Sequence, residues 1–149
     1  MNIRLATAKD AAGVAAILRK HYEKDYKGFV TFNGAYIKKK MKENGFYFVA
    51  EDNRKIIGCQ RASIIDLDLA ELRTLCVDEK HRRKGVAREL INTTLDFLKK
   101  KRMRKVVART KSDNKAIIKL LKSMGFKKEG HFREHFRKKV NIIQWYRFL

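Results

Sequence analysis

Residues 71 to 98, ELRTLCVDEKHRRKGVARELINTTLDFL, constrain the fold more than any other stretch, because three local instructions follow one another there without a gap. Leu72, Leu75 and Val77 belong to a short β-compatible run, which Asp78-Glu79-Lys80-His81 ends with polar residues that have nothing to bury. From Gly85 onward, Ala87, Leu90, Ile91, Thr94, Leu95 and Leu98 recur at helical spacing. One stripe therefore faces a core, while Arg88, Glu89, Asn92 and Lys99 face water. Between strand and helix lies Arg82-Arg83-Lys84-Gly85-Val86-Ala87.

Such a turn is suited to anions. The first N–H groups of a helix have no intrahelical acceptor, and the helix dipole adds partial positive charge. Gly85 lets the backbone approach a phosphate closely, and Arg82, Arg83, Lys84 and Arg88 add formal charge around the same point. The chain contains neither G-x-x-x-x-G-K-[ST] nor G-x-G-x-x-G, which excludes the P-loop and the dinucleotide loop. It does contain R-x-x-G-x-A at Arg82, Gly85 and Ala87, preceded by L-x-V at Leu75 and Val77.

Around this unit the chain reads as alternating strands and helices. Asn2 to Ala6 reads as an edge or second-position strand. Thr7 caps a helix, with Asp10 three residues on, and an apolar stripe of Ala11, Val14, Ala15 and Leu18 carries that helix to about His21. An aromatic stretch with Tyr22, Tyr26 and Phe29 is interrupted by Gly28 and precedes a second helix over 33–42, which holds Tyr36. Strands over 46–51 and 55–66 flank the turn residues Asp52-Asn53-Arg54, and a strand over 70–77 completes an antiparallel meander. Gly58 inside the second strand marks a bulge or a close approach. After the central helix come a β-branched strand over 105–110, a helix capped by Ser112-Asp113 and ended by Gly125, and a last strand pair over 126–136 and 140–148. No proline, repeat or linker interrupts the chain, so one α/β domain over 1–149 is expected.

The segment Asn114-Lys115-Ala116-Ile117-Ile118-Lys119-Leu120-Leu121-Lys122-Ser123-Met124-Gly125-Phe126 supplies a second motif. It resembles N-x-x-A-x-x-x-Y-x-x-x-G-F of the GNAT superfamily of N-acetyltransferases, although the Ala falls one residue early. The R-x-x-G-x-A turn is similar to the [QR]-x-x-G-x-[GA] turn of the same superfamily. The resemblance implies a GNAT (acyl-CoA N-acyltransferase) fold: a mixed sheet of six or seven strands with helices on both faces. It also implies a cleft where the strand over 71–77 splays from the strand over 105–110. Acetyl-coenzyme A is the implied cosubstrate, with its pyrophosphate on the N–H groups of Arg83 to Arg88 and its pantetheine arm along Leu75, Cys76 and Val77. Arg82, Arg83, Lys84, Gly85, Val86, Ala87 and Arg88 thus form the phosphate turn, and Asn114 lies close to the pantetheine arm.

Acetyl transfer requires a neutral amine, a polarised carbonyl and a thiolate that can leave. The resemblance implies polarisation by a backbone N–H near Cys76 or Val77. Glu71, on the strand that would carry the thioester, is the candidate general base, directly or through water. The same carboxylate can instead pair with Arg73 or a lysine. Asp66 and Asp68, in a turn, are weaker rivals. Leu121 stands where the family pattern has a tyrosine, so another group, such as Tyr146, or water must protonate the thiolate, or it leaves unprotonated.

Composition narrows the alternatives. A net charge of +21, from 37 basic and 16 acidic residues, attracts polyanions through a salt-sensitive term and disfavours a polyamine acceptor. The acceptor expected first is a protein amine, an N-terminus or a lysine, with a small-molecule amine next. A basic nucleic-acid- or ribosome-binding module, or a coenzyme-A-binding module without turnover, remains as a rival class. Cys59 and Cys76 match no metal or redox spacing and read as buried thiols. His131 and His135, four apart on a regular strand, stand ~13 Å apart, too far to share a metal. No run approaches the ~20 apolar residues of a membrane span, and MNIRLATAKD has no apolar leader core, so a cytoplasmic monomer or homodimer is expected.

Overall fold

The computed structural model describes residues 1–28, 30–43 and 45–149. Seven strands, β1 (Asn2–Leu5), β2 (Gly45–Asp52), β3 (Lys55–Asp66), β4 (Leu69–Val77), β5 (Lys105–Lys111), β6 (Lys127–Arg137) and β7 (Val140–Phe148), form one sheet in the order β1-β2-β3-β4-β5-β7-β6. Four helices, α1 (Ala11–Tyr26), α2 (Gly34–Lys42), α3 (Val86–Lys100) and α4 (Lys115–Ser123), pack on its two faces. The mixed sheet with helices on both faces matches the expected architecture. All neighbouring strands are antiparallel except β4 and β5, which α3 joins as a crossover.

Local chemistry explains the boundaries. Asn53 and Arg54 both have positive φ, the two-residue geometry that matches strand twist in a tight hairpin. Thr7 and Asp10 form a reciprocal capping box, which opens a 3-10 turn over Ala8–Asp10 ahead of α1. The Asp10 carboxylate also accepts two hydrogen bonds from Arg4, at 2.8 and 2.9 Å. Helix α1 continues to Tyr26, five residues beyond the expected end, because Tyr22 lies against Phe32 and Tyr26, and tertiary packing outweighs the weak helix preference of the aromatics. Phe29 lies outside the described residues. The cap of α4 is Asn114, whose side-chain oxygen accepts from the Ile117 N–H at 3.3 Å, rather than Ser112-Asp113. Gly125 ends α4 at φ 82°, with Gly125 N–H bonded to Lys122 O and Phe126 N–H to Leu121 O, the paired bonds of a Schellman motif.

Two layers of core result. Helices α1 and α2 bury Val14, Leu18 and Ile37 against Tyr47, Val49, Cys59 and Cys76. On the opposite face, α3 and α4 bury Leu90, Ile91, Leu95, Leu98 and Leu121 against Phe48, Leu72, Val106, Ala108 and Trp145. Gly58 fulfils both of its readings: the β2/β3 register shifts beside it, and a Cβ there would stand 3.2 Å from Leu90 and 3.3 Å from Val86. The lack of a side chain sets how closely α3 approaches the sheet. Strand β6 is less regular than expected. Its register breaks between Phe132 and Arg137, with Glu134 at φ 45°, so the uniform spacing assumed for His131 and His135 does not hold.

Candidate active site

The parallel pairing of β4 with β5 covers four residues, from Leu69↔Lys105 to Leu72↔Ala108, and then stops. Its cause lies on the other edge of β4. Between Cys59↔Cys76 and Arg61↔Arg73 the strand carries an extra residue relative to β3, and Thr74 takes φ 54°. A bulge of this kind bends and twists the strand that carries it. Beyond Leu72, β4 therefore parts from β5 and leaves an unladdered edge at Leu75, Cys76 and Val77 facing the gap. The two strands part where the splay was expected.

At the end of β4, a 3-10 turn over Glu79–His81 leads into the basic turn. Arg83 and Gly85 adopt φ 59° and 82°, and Val86 begins α3. The first bond of that helix runs from Glu89 N–H to Gly85 O. Among the described residues no acceptor takes the N–H groups of Arg83 through Arg88. Arg82, Arg83, Lys84 and Arg88 are exposed around them, while Val86 is buried and anchors the turn. Arg82 folds back, donating from Nε to Val77 O at 3.1 Å and lying 3.3 Å from His21 Nδ1; Arg88 donates to Ser123 Oγ at 2.7 Å and ties α3 to α4.

A small cleft between α1 and this turn is lined by Ile17, His21, Cys76, Val77, Asp78 and Arg82. Partial desolvation, reinforced by the Arg82 charge, lowers the pKa of His21. Asp78 accepts from Lys20 at 2.9 Å, which with His81 holds its carboxyl below the usual range. Cys76 faces α1, 3.8 Å from Ile17 O, and burial pushes its thiol up to about 12. Burial raises Cys59 further still. Neither cysteine is a thiolate nucleophile at neutral pH. Tyr22 reaches Leu75 O at 3.4 Å, and its phenol is pushed up by burial.

Glu71 lies one strand step short of the point where β4 and β5 part. It is 5% exposed, and Oε2 accepts from Arg73 Nε at 2.7 Å, so the pairing considered from sequence does form. Asp66 and Asp68 lie at the far end of β4, where Asp68 pairs with Arg104. Asn114 is at the start of α4, its oxygen committed to the cap. Leu121 is 2% exposed and packed in the core. Tyr146 is level with Val107, which is level with Glu71, placing all three on one face of the sheet. Of the arginines on that face only Arg73 is legible in the sequence, as a partner for Glu71; Arg61 and Arg109, single arginines in strands, carry no pattern of their own.

The model for the acetyltransferase (GNAT) family matches residues 14–126. The chain belongs to the GNAT family of acetyltransferases. Human N-acetyltransferase 8 is 36% identical over 89 residues, which cover 56% of this chain and 39% of that protein. The matched stretches span between 39% and 60% of the lengths of the curated relatives. Among solved structures, a ribosomal-protein-alanine N-acetyltransferase from Brucella melitensis superposes with a TM-score of 0.87 at 18% identity, covering 100% of both chains. A putative acetyltransferase from Salmonella typhimurium, solved with acetyl-CoA, gives a TM-score of 0.85 at 21% identity over 100% of this chain and 94% of that one. These likenesses establish the fold.

Proposed function

We propose that this chain transfers the acetyl group of acetyl-coenzyme A to a primary amine by direct attack in a ternary complex, and that the acceptor is a protein N-terminus or lysine. The observation that carries this reading is the junction of two features: a basic turn with unclaimed N–H groups, and an open β4 edge where the sheet parts. The turn suits a pyrophosphate, with Arg82, Arg83, Lys84 and Arg88 supplying charge and Gly85, Val86 and Ala87 supplying backbone access. The edge of β4 at Leu75, Cys76 and Val77, which has no strand partner on the β5 side, suits the amide-bearing pantetheine arm. Asn114 at the start of α4 would face that arm through its amide nitrogen.

Glu71 would accept the proton as the amine nitrogen bonds to the acetyl carbon and the carbon–sulfur bond breaks. An N–H of Cys76 or Val77 would hold the carbonyl oxygen as charge develops on it. Leu121 has no proton to give, so the thiolate leaves and is protonated by water. The protonated thiols of Cys59 and Cys76 favour direct attack over an acetylated cysteine. The basic surface favours a macromolecular or acidic acceptor over a polyamine.

Calorimetric titration with acetyl-coenzyme A tests the reading, using the native chain and Gly85→Asp. Saturable binding by the native chain is expected. The variant, folded by circular dichroism, should lose at least tenfold in affinity, because a carboxylate then stands beside the phosphates. Absence of binding, or equal loss in both proteins on modest addition of salt, refutes it.

A further inference from the structure

Helix α1 crosses the gap between β4 and β5. Beyond the last paired residues, Leu72 and Ala108, the strands part, and Leu75 and Lys111 stand on opposite banks. The backbone of Cys76 faces β3: Asp78 N–H bonds to Ile57 O at 2.8 Å, and a Cβ on Gly58 would stand 3.2 Å from Cys76 O. Alternation along the strand then turns the carbonyls of Leu75 and Val77 into the gap. Arg82 Nε donates to Val77 O at 3.1 Å, and Tyr22 of α1 donates its O–H to Leu75 O at 3.4 Å. One helical turn on, Asp25 accepts from Lys111 Nζ at 3.1 Å. It also stands 4.0 Å from Arg137, whose guanidinium lies 4.5 Å from the Tyr26 ring centroid. Residues three apart share one side of a helix, so Tyr22 and Asp25 span the opening together.

The two banks hold the helix by different means. On the β4 side, Ile17 and Leu18 pack into a core with Cys59 and Cys76, and Lys20 bonds to Asp78 at 2.9 Å. Among the described residues, that core takes nothing from β5, β6 or β7. On the β5 side the attachment is ionic and wet, with the Lys111 and Asp25 side chains 46% and 39% exposed. An exposed ion pair shifts an equilibrium only a few-fold. The bond from Tyr22 is also long for an O–H donor, which prefers about 2.7–2.8 Å. The helix is therefore anchored at one bank and lightly fastened at the other.

We propose that the last turn of α1 is a clasp over the coenzyme slot, opened when Asp25 parts from Lys111 and Arg137 to admit or release the coenzyme. Asp25 is its positioning residue. The inference rests on the acetyl-coenzyme A reading and adds the route by which the coenzyme exchanges. A weak fastening suits this task, because the clasp opens in each cycle and, while closed, shields the arm from water on the α1 side.

The test measures association and dissociation rates of acetyl-coenzyme A by stopped flow at about physiological salt. Asp25→Asn removes the carboxylate from both cations and should raise both rates by about threefold or more. Lys111→Gln leaves Arg137 in place and should raise them about twofold. These variants change the net charge in opposite directions, so a field effect on an anionic ligand would move the association rate up in one and down in the other. Asp25→Glu should keep the native rates, and Lys100→Gln, at the end of α3, the native dissociation rate. Native rates in Asp25→Asn, or opposite movements in the two variants, overturn the clasp while leaving the coenzyme reading intact. In the coenzyme-free chain, amide exchange from Tyr22 to Tyr26 should quicken in Asp25→Asn; protection equal to that of the native chain overturns the clasp whether or not the coenzyme binds. Absence of acetyl-coenzyme A binding by the native chain refutes the coenzyme reading itself.

Discussion

Asn114 illustrates how one residue can carry two assignments with separable readouts. Its oxygen caps α4, and replacing such a cap with alanine costs about 1 kcal/mol. Asn114→Ala should therefore lower the melting temperature by roughly 2–4 °C in a chain of this size. Asn114→Ser keeps a capping oxygen but loses the amide N–H donors. It should recover the melting temperature yet remain weaker for acetyl-coenzyme A; full recovery of affinity would show that the residue is a cap alone. Asp10 has a comparable local economy. Its bonds from Arg4, then from Thr7 N–H, hold its carboxyl below the ordinary 3.8 despite burial. A carboxylate depressed on folding stabilises above its unfolded pKa, and the stabilisation is lost as pH falls through the folded one. The stability gap between the native chain and Asp10→Asn should thus be full at pH 7 and shrink below about pH 4; urea denaturation at both pH values measures it.

Elements are positioned by a few close approaches. Gly58 allows α3 to lie against β3, and the basic turn over 82–85 leads directly into the first residue of α3. Gly58→Val would drive a side chain into Cys76 O, Leu90 and Val86, an overpacking that costs about 1–3 kcal/mol. Because the displaced element begins at Val86, acetyl-coenzyme A affinity should fall along with stability. Unchanged affinity in a folded Gly58→Val protein would show that the turn is set independently of α3 packing. The bulge at Thr74 works in the same way on the other side of the gap, bending β4 so that its last residues lose contact with β5.

On the scale of the whole molecule the +21 charge acts as a field rather than a site. Lys38 to Lys40 lie on α2, Lys99 and Lys100 end α3, and Lys138-Lys139 form the β6–β7 turn, so the clusters are spread over separate parts of the molecule. Association with heparin or RNA should weaken steeply between about 50 and 200 mM salt, whereas acetyl-coenzyme A, held by oriented N–H groups as well as charge, should lose less. Parallel titrations in the two buffers measure the contrast; equal slopes would place the coenzyme in the diffuse field and not at the turn. No helix among the described residues is long and apolar enough to cross a membrane.

What the sequence determined by itself was whatever is encoded over short distances. The strand–turn–helix unit over 71–98, the hairpin at Asn53-Arg54, the stop at Gly125 and the open role of Gly58 all follow from periodicity and turn chemistry within a few residues. Those signals also placed the basic turn before α3, because a helix N-terminus after a strand is a local object. The tertiary structure alone decided the length of α1, which aromatic contacts extended, and the capping of α4 by Asn114. It also brought Tyr146 into the same row as Glu71 and set Arg61 opposite Arg73. Register between strands distant in sequence depends on the packing of both faces and on bulges such as that at Thr74, and no single segment contains that information.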